Sequence, residues 1–268
     1  MAHASALINV MVSAARKAAR GLSRDFGEID ALQVSKKGAA DFVTAADLRA
    51  ERTLFEELSR ARPKYGFLME ERGAVEGSDN SNRWIVDPLD GTTNFLHALP
   101  QFAISICLER DRQPYAGVIY NPAADEIFWA EKGEGAWLND RRLRVSARRD
   151  LTETLFATGL PFRGKPGRAR ALKETDRVLA ETAGVRRYGS AALDLAFTAA
   201  GRFDAYWEWD LNAWDVGAGI IIVREAGGVV GAVEEERGDP LHGPSILATN
   251  GELFEKARDL ILGRDESQ

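Results

Sequence analysis

The stretch Trp84 to Phe95, WIVDPLDGTTNF, runs Trp-Ile-Val into two aspartates three positions apart and then into Gly-Thr-Thr. Carboxylates beside a segment that buries itself are costly in water-poor surroundings unless something cationic shares the site. A fold that keeps this stretch must bring a cation to it, and a metal ion is the first candidate. Pro88 lacks an N–H and restricts the residue before it, which disfavours a continuing helix or a central strand and predicts a tight turn. On such a turn Asp87, Asp90 and the Leu89 carbonyl converge on a small ion. An all-oxygen donor set favours magnesium, with manganese as a substitute, over zinc. Gly91-Thr92-Thr93 then reads as a helix start whose unpaired N–H groups suit phosphate.

Other acids lie elsewhere in the chain. The apolar run YGFLM delivers Glu70 and Glu71 at its end, as RWIVD delivers Asp87 and Asp90, and ligand sites tend to collect outside strand ends. Far along, AWDVGAG sets Asp215 at the opening of a Gly/Ala-rich helical segment whose small residues permit close backbone approach. Taken singly, Asp47 and Asp215 read as helix caps and Glu70-Glu71 as a solvated turn. Taken with the aspartates of DPLD, they place a set of carboxylates on predicted element ends.

With 268 residues the chain is long enough for one large domain or two modest ones. Its composition, 45% hydrophobic and 28% charged, is that of a soluble globular protein. A formal net charge of -6 gives no general attraction to nucleic acid or anionic membrane. The only cysteine, Cys107, sits in the apolar run FAISICL, which excludes an intrachain disulfide and a cysteine-based zinc site and predicts a buried spectator thiol. The first residues lack a basic region followed by a long apolar core, and no apolar run approaches the roughly 18 residues of a membrane span. A cytoplasmic location is expected.

Apolar residues at helical spacing, Leu7, Val10, Met11, Ala14, Ala18, Leu22 and Phe26, predict a helix ending near Gly27. LQVSKKGAADFVT reads as a mobile loop with a short strand or hairpin, and a second helix is predicted to begin after Thr44, with Thr44 and Asp47 at capping-box spacing. FAISICLE, AGVIYNP, EIFWAE, GAWLN and LRVS predict an antiparallel meander. It closes a first part, residues 1–150. Residues 151–268 then alternate strands (LFATG, VRRY, FDAYWEW, GGVVGAV, SILATN) with helices near 168–183, 190–200, 214–226 and 252–262, an α/β pattern. The acidic site is expected between the two parts.

The chain resembles the inositol monophosphatase family of magnesium-dependent, lithium-sensitive phosphatases. Both family signatures stand here, as WIVDPLDGTTNF and WDVGAGIIIVREAGGVV, and the resemblance extends through VSKKGAADFVTAAD, LMEE, KGEGAWLN, YGSAALDLAFTAAGRFDAYWE and ILATN. Met69 stands where the family usually has a small residue before the paired glutamates. The resemblance implies a layered α/β/α/β/α fold, in which Glu70, Asp87 and the Leu89 carbonyl bind a first metal ion and Asp87, Asp90 and Asp215 a second. A third, weaker ion is implied near Glu70. Asp47 and Thr92 resemble the pair that orients and activates the attacking water, and the N–H groups of Gly91 and Thr92, with Thr93, the phosphate cradle. Ala192 and Glu208 resemble the residues that meet inositol hydroxyls, with Ser190 and Ala191 in the same loop, and Lys36 lies on a segment resembling a metal-proximal lid.

The implied reaction is hydrolysis of inositol monophosphate to inositol and phosphate by metal-activated water, in a homodimer. No histidine or cysteine nucleophile is evident, since His3, His97 and His242 occupy no catalytic pattern. Histidinol phosphate, fructose 1,6-bisphosphate, 3'-phosphoadenosine 5'-phosphate and broader sugar or polyol phosphates are the alternative substrates. From another class comes a transcription or RNA-processing partner role, with PFRGKPGRARALK and VRRYG as its candidate basic surfaces.

Overall fold

The structure is a computed structural model that describes residues 4–32, 38–161, 164–234 and 238–264. Two helices come first, α1 (Ala6–Leu32) and α2 (Gly38–Ala61). The strands β1 (Tyr65–Met69), β2 (Gly73–Val75), β3 (Asp79–Asp90), β4 (Ala103–Arg110), β5 (Gln113–Asn121), β6 (Glu126–Glu131), β7 (Gly135–Leu138) and β8 (Arg141–Arg142) form one sheet in the order β2-β1-β3-β4-β5-β6-β7-β8. The short helix α3 (Thr92–Leu96) leaves the end of β3. A second sheet, ordered β10-β9-β11-β13-β12, is built from β9 (Leu155–Thr158), β10 (Gly184–Arg186), β11 (Ala205–Trp209), β12 (Gly228–Gly231) and β13 (Ser245–Asn250). Helices α4 (Arg168–Glu181), α5 (Ala191–Ala199), α6 (Ala213–Glu225) and α7 (Phe254–Leu262) complete it.

Strand periodicity generates the layering, because successive side chains point to opposite faces. On β3, Trp84 and Val86 join the core against α1 and α2, while Ile85 joins the core shared with α5 and α6. On β6, Ile127 and Trp129 face the first core and Phe128 and Ala130 the second. On β11 the division repeats, with Tyr206 in the middle core and Ala205 and Trp207 in a third that includes Val178 of α4 and Ala257 of α7. The result is helix, sheet, helix, sheet, helix. Small residues bring the middle layer in close: a Cβ at Gly117 of β5 would stand 2.7 Å from the Ala218 carbonyl oxygen, and one at Gly219 of α6 would stand 2.4 Å from Leu195 Cδ1.

Four local expectations are corrected. Helix α1 continues past Gly27 to Leu32, since an internal glycine costs only about 1 kcal/mol against alanine, less than burial of its apolar face returns. Helix α2 begins at Gly38, well before Thr44, so no strand or hairpin occupies 38–43 and Asp47 is an interior helical residue. Its apolar stripe packs on the sheet through Ala46, Ala50, Leu54 and Leu58, and this tertiary burial overrides the apparent cap at Thr44. Pro88 lies within β3, not on a free turn. Asp87 pairs with Ser105 and Asp90 with Ala103, so three steps on β3 face two on β4, a bulge that accommodates the missing N–H. Finally, Leu143–Ser146 carry no strand, and only Arg141–Arg142 pair with β7.

Candidate metal centre and active site

The carboxylates converge from four places in the chain. Asp87, Asp90 and Asp215 each offer an oxygen within 4.8 Å of the others, and Asp47, Glu70 and Glu71 form a second such group. A hydrogen bond between the Glu70 and Asp87 side chains links the two. The β3 bulge turns Asp87 and Asp90 to one side, and Asp87 Oδ1 accepts the Leu89 N–H at 2.9 Å, closing the loop around Pro88. Asp215 is at once a cap and a cluster member: its Oδ2 accepts the Asn212 N–H at 2.7 Å in the first turn of α6.

Asp47 comes from α2, 4% exposed, and its Oδ1 has no hydrogen-bond partner. The sequence reading missed Glu51, one turn further along the same helix. Its Oε2 accepts the N–H groups of Glu71 at 2.9 Å and Arg72 at 3.1 Å, which fixes the turn after β1 that carries Glu70 and Glu71. The Asp47/Glu51 spacing of four, on one helix face, was the available signal. Glu71 likewise joins the acids without having been assigned a role. Met69 is fully buried in the core between α2 and the sheet, so the bulky residue before the glutamates points away from them into packing.

Electrostatics make the cluster unhappy as a set of bare anions. Burial first, then Glu70, Glu71 and Glu51, pushes Asp47 up to about 8. Burial lifts Asp90 to about 7, against the hydrogen bonds it receives from Ser190 and Ala192. Asp87 is held well above the ordinary carboxylate range by burial and by Asp90, Glu70, Asp215 and Asp47. Burial raises Glu70 and Asp215 as well. Oxygen-only donors, mutual repulsion and an orphaned buried oxygen together fit a hard divalent cation, whose charge would remove the cost of ionising them.

Around the acids the remaining predicted residues are placed unequally. Gly91 adopts φ 88, where a Cβ would meet the Gln101 carbonyl oxygen at 2.7 Å, and opens α3 with Thr92 and Thr93 exposed. The Thr92 hydroxyl donates to the Leu89 carbonyl at 3.0 Å. Asn94 Nδ2 reaches the carbonyls of Gln101 and Tyr188, both at 2.7 Å, tying this short helix to the segment before α5. That segment ends in Ser190, the N-cap of α5, whose hydroxyl donates to Asp90 Oδ2; the Ala192 N–H donates to the same oxygen at 2.9 Å. Ser190, Ala191 and Ala192 are buried, and the first and last of them hold Asp90. Lys36 lies outside the described residues.

Glu208 lines a cavity of about 280 Å³ together with Glu70, Asp215, Gly159, Lys165, Arg170 and Trp209. Its Oε2 accepts the Tyr206 hydroxyl at 2.6 Å, and burial pushes it up to about 7. Gly159 lets the carboxylate lie where it does: a Cβ there would stand 1.9 Å from the Glu208 carboxyl carbon and push it aside. The cavity thus has acids of the two groups at one end and a hydrogen-bonding carboxylate on its wall.

Comparison with known proteins agrees with this geometry. Residues 3–262 match the Inositol monophosphatase family. The chain is 60% identical over 245 residues to an inositol-1-monophosphatase of Caulobacter vibrioides, covering 91% of this chain and 96% of that protein. It is 43% identical over 224 residues to the Nus factor SuhB of Escherichia coli, covering 84% of each. The crystal structure of the extragenic suppressor protein suhB from Bartonella henselae superposes with a TM-score of 0.87 at 54% identity, over 96% of this chain and 98% of that one.

Proposed function

The chain belongs to the inositol monophosphatase family, and from that membership we propose that it hydrolyses inositol monophosphate to inositol and inorganic phosphate with magnesium at the acidic cluster. The convergence of Asp87, Asp90 and Asp215 within 4.8 Å, beside Glu70, carries this reading. Glu70, Asp87 and the Leu89 carbonyl would hold one ion and Asp87, Asp90 and Asp215 another, with manganese a substitute and a third ion near Glu70. When bound, such ions supply a water of lowered pKa and neutralise charge on phosphate oxygens.

The protein's own groups do the rest. Asp47, with its unpartnered Oδ1, is the proton acceptor for the attacking water. Thr92 spends its hydroxyl hydrogen on the Leu89 carbonyl, which leaves its oxygen to accept a hydrogen bond from that water. The N–H groups at Gly91 and Thr92, with the Thr93 side chain, receive phosphate oxygens. Glu208 keeps Oε1 available for a polyol hydroxyl because Tyr206 engages Oε2. The Ala192 N–H is committed to Asp90, so that residue shapes the inositol site through its position in the backbone. A cytoplasmic homodimer, sensitive to lithium, completes the reading; among the described residues no helix is long and apolar enough to cross a membrane.

Phosphate release from a panel of esters tests it. With magnesium, inositol 1-phosphate gives the highest kcat/KM, above histidinol phosphate, fructose 1,6-bisphosphate, 3'-phosphoadenosine 5'-phosphate and glycerol phosphate; lithium lowers the rate and chelation abolishes it. Full activity after chelation overturns the metal role, and a clear preference for another ester replaces the substrate.

The likeness to the E. coli Nus factor favours a second reading, association with a transcription complex or RNA, with exposed Arg168, Arg186 and Arg187 as contacts. In that case a catalytically silent variant still binds RNA, and raising salt from about 50 to 200 mM weakens the complex steeply. Absence of salt-sensitive binding in a filter or fluorescence assay removes this role.

A further inference from the structure

Behind the cavity wall lies a buried carboxylate for which catalysis has no direct use. Glu174, on α4, is 2% exposed, and its Oε2 accepts the indole N–H of Trp207 at 3.1 Å and that of Trp209 at 3.0 Å. Both indoles belong to β11, whose sequence Ala-Tyr-Trp-Glu-Trp alternates between faces. The tryptophans point toward α4, whereas Tyr206 and Glu208 point toward the middle layer and the cavity. Arg170, one turn before Glu174, lies over the Trp209 ring at 3.8 Å, its Nε 3.8 Å from Glu174 Oε1. Arg170 and Trp209 in turn line the cavity beside Glu208.

We infer that Glu174 is a positioning residue for the substrate pocket: by pinning two indoles from behind β11, it fixes the direction in which Glu208 meets the polyol and holds the Trp209–Arg170 wall beside it. The inference rests on the reading of Glu208 as the acceptor of a polyol hydroxyl. One acceptor oxygen serves one buried and one half-buried donor that flank Glu208 in sequence, so the strand is held at both neighbouring positions from the α4 side. Removing the acceptor takes this partner from both indole N–H groups, and the strand shifts as they find others. Gly159 lies directly against the Glu208 carboxylate, so a shift of the strand changes that contact as well.

The test is the ratio of kcat/KM for inositol 1-phosphate to that for p-nitrophenyl phosphate, measured on purified protein with magnesium. Glu174→Leu lowers the ratio about tenfold, through KM for inositol phosphate, as expected when a hydrogen bond to a charged group is lost. Glu174→Gln restores most of it, because the amide oxygen still accepts. Trp209→Phe, which keeps an aromatic ring and removes one donor, lowers the ratio and combines with Glu174→Leu less than multiplicatively, since both act on one bond. If Glu174→Leu does not fold, the ratio in Trp209→Phe decides, a level ratio overturning the clamp.

Glu208→Gln separates this inference from its premise. A ratio that falls in Glu208→Gln but stays level in the Glu174 and Trp209 variants overturns the clamp. A ratio that falls in the Glu174 and Trp209 variants but not in Glu208→Gln keeps the clamp, acting through the Trp209–Arg170 wall, and removes Glu208 as the acceptor. A ratio level in all of them removes both.

Discussion

Asp87→Asn lowers phosphate release by about 10³-fold on every ester and at the same time raises the thermal midpoint of the metal-free protein. The two effects share one cause. Asp87 is 2% exposed and stands where both groups of acids meet, in the Asp90/Asp215 triad and in a hydrogen bond with Glu70. Without metal its charge is opposed by burial and by four neighbouring acids. An asparagine keeps the shape and an oxygen for the Leu89 N–H, so β3 and its bulge survive while the repulsion is relieved. It is also a neutral and weaker ligand, which disables the site whatever the leaving group. Calorimetry with and without magnesium checks both halves: the wild-type midpoint rises with the ion and that of Asp87→Asn rises much less. A variant that retained turnover, or lost stability in metal-free buffer, would show that Asp87 serves packing and not the cation.

The buried strands were legible because continuous apolar runs survive in the sequence wherever a strand is buried on both faces, as in Trp84-Ile85-Val86 or Ile127 to Ala130, whereas the order of the layers came from the family resemblance. The acids at strand ends were legible for a related reason: a carboxylate directly after such a run has few structural uses. Residues whose role depends on a partner far along the chain were not. Glu51 acts on the turn at Glu71, twenty positions away, and Glu174 acts on indoles more than thirty positions away. Nothing local distinguishes Glu174 from a solvated helical glutamate, and Glu51 is marked only by its spacing of four from Asp47. Thr44 and Asp47 misled in the opposite sense, since their capping-box spacing is genuine but the helix already begins at Gly38 and is held by the apolar face from Ala46 to Leu58. Pro88 misled because a bulge, visible only when β4 is paired alongside, lets a strand keep it. Ser190 and the Ala192 N–H were grouped with the substrate and are found bonded to Asp90, a contact between residues a hundred apart.

Between about pH 5 and pH 8 the metal-free protein becomes less stable as pH rises, and the stabilisation conferred by magnesium grows over the same interval. The sign follows from the buried acids. Asp47 is raised from 3.8 to about 8, Asp90 from 3.8 to about 7 and Glu208 from 4.5 to about 7, each chiefly by burial. A group whose folded pKa is raised binds protons more tightly in the native state than in the unfolded chain. Its contribution is complete below the unfolded value, near pH 4, and is lost as pH climbs through the folded value. Acids held below their ordinary range, such as Asp79 and Asp150, change protonation below pH 4 and leave this interval alone. A divalent cation reverses the balance, because it binds the ionised forms and must displace the protons that the folded apo-protein retains. Thermal midpoints across pH, with chelator and with saturating magnesium, therefore diverge toward alkaline pH. Asp87→Asn flattens the chelated curve and narrows the gap, since it removes one buried acid whose own proton the folded apo-protein retains and weakens the site for the ion. Parallel curves in the wild type would mean that these carboxylates are satisfied by the protein itself, and that the cluster is a packing feature with no ion to serve.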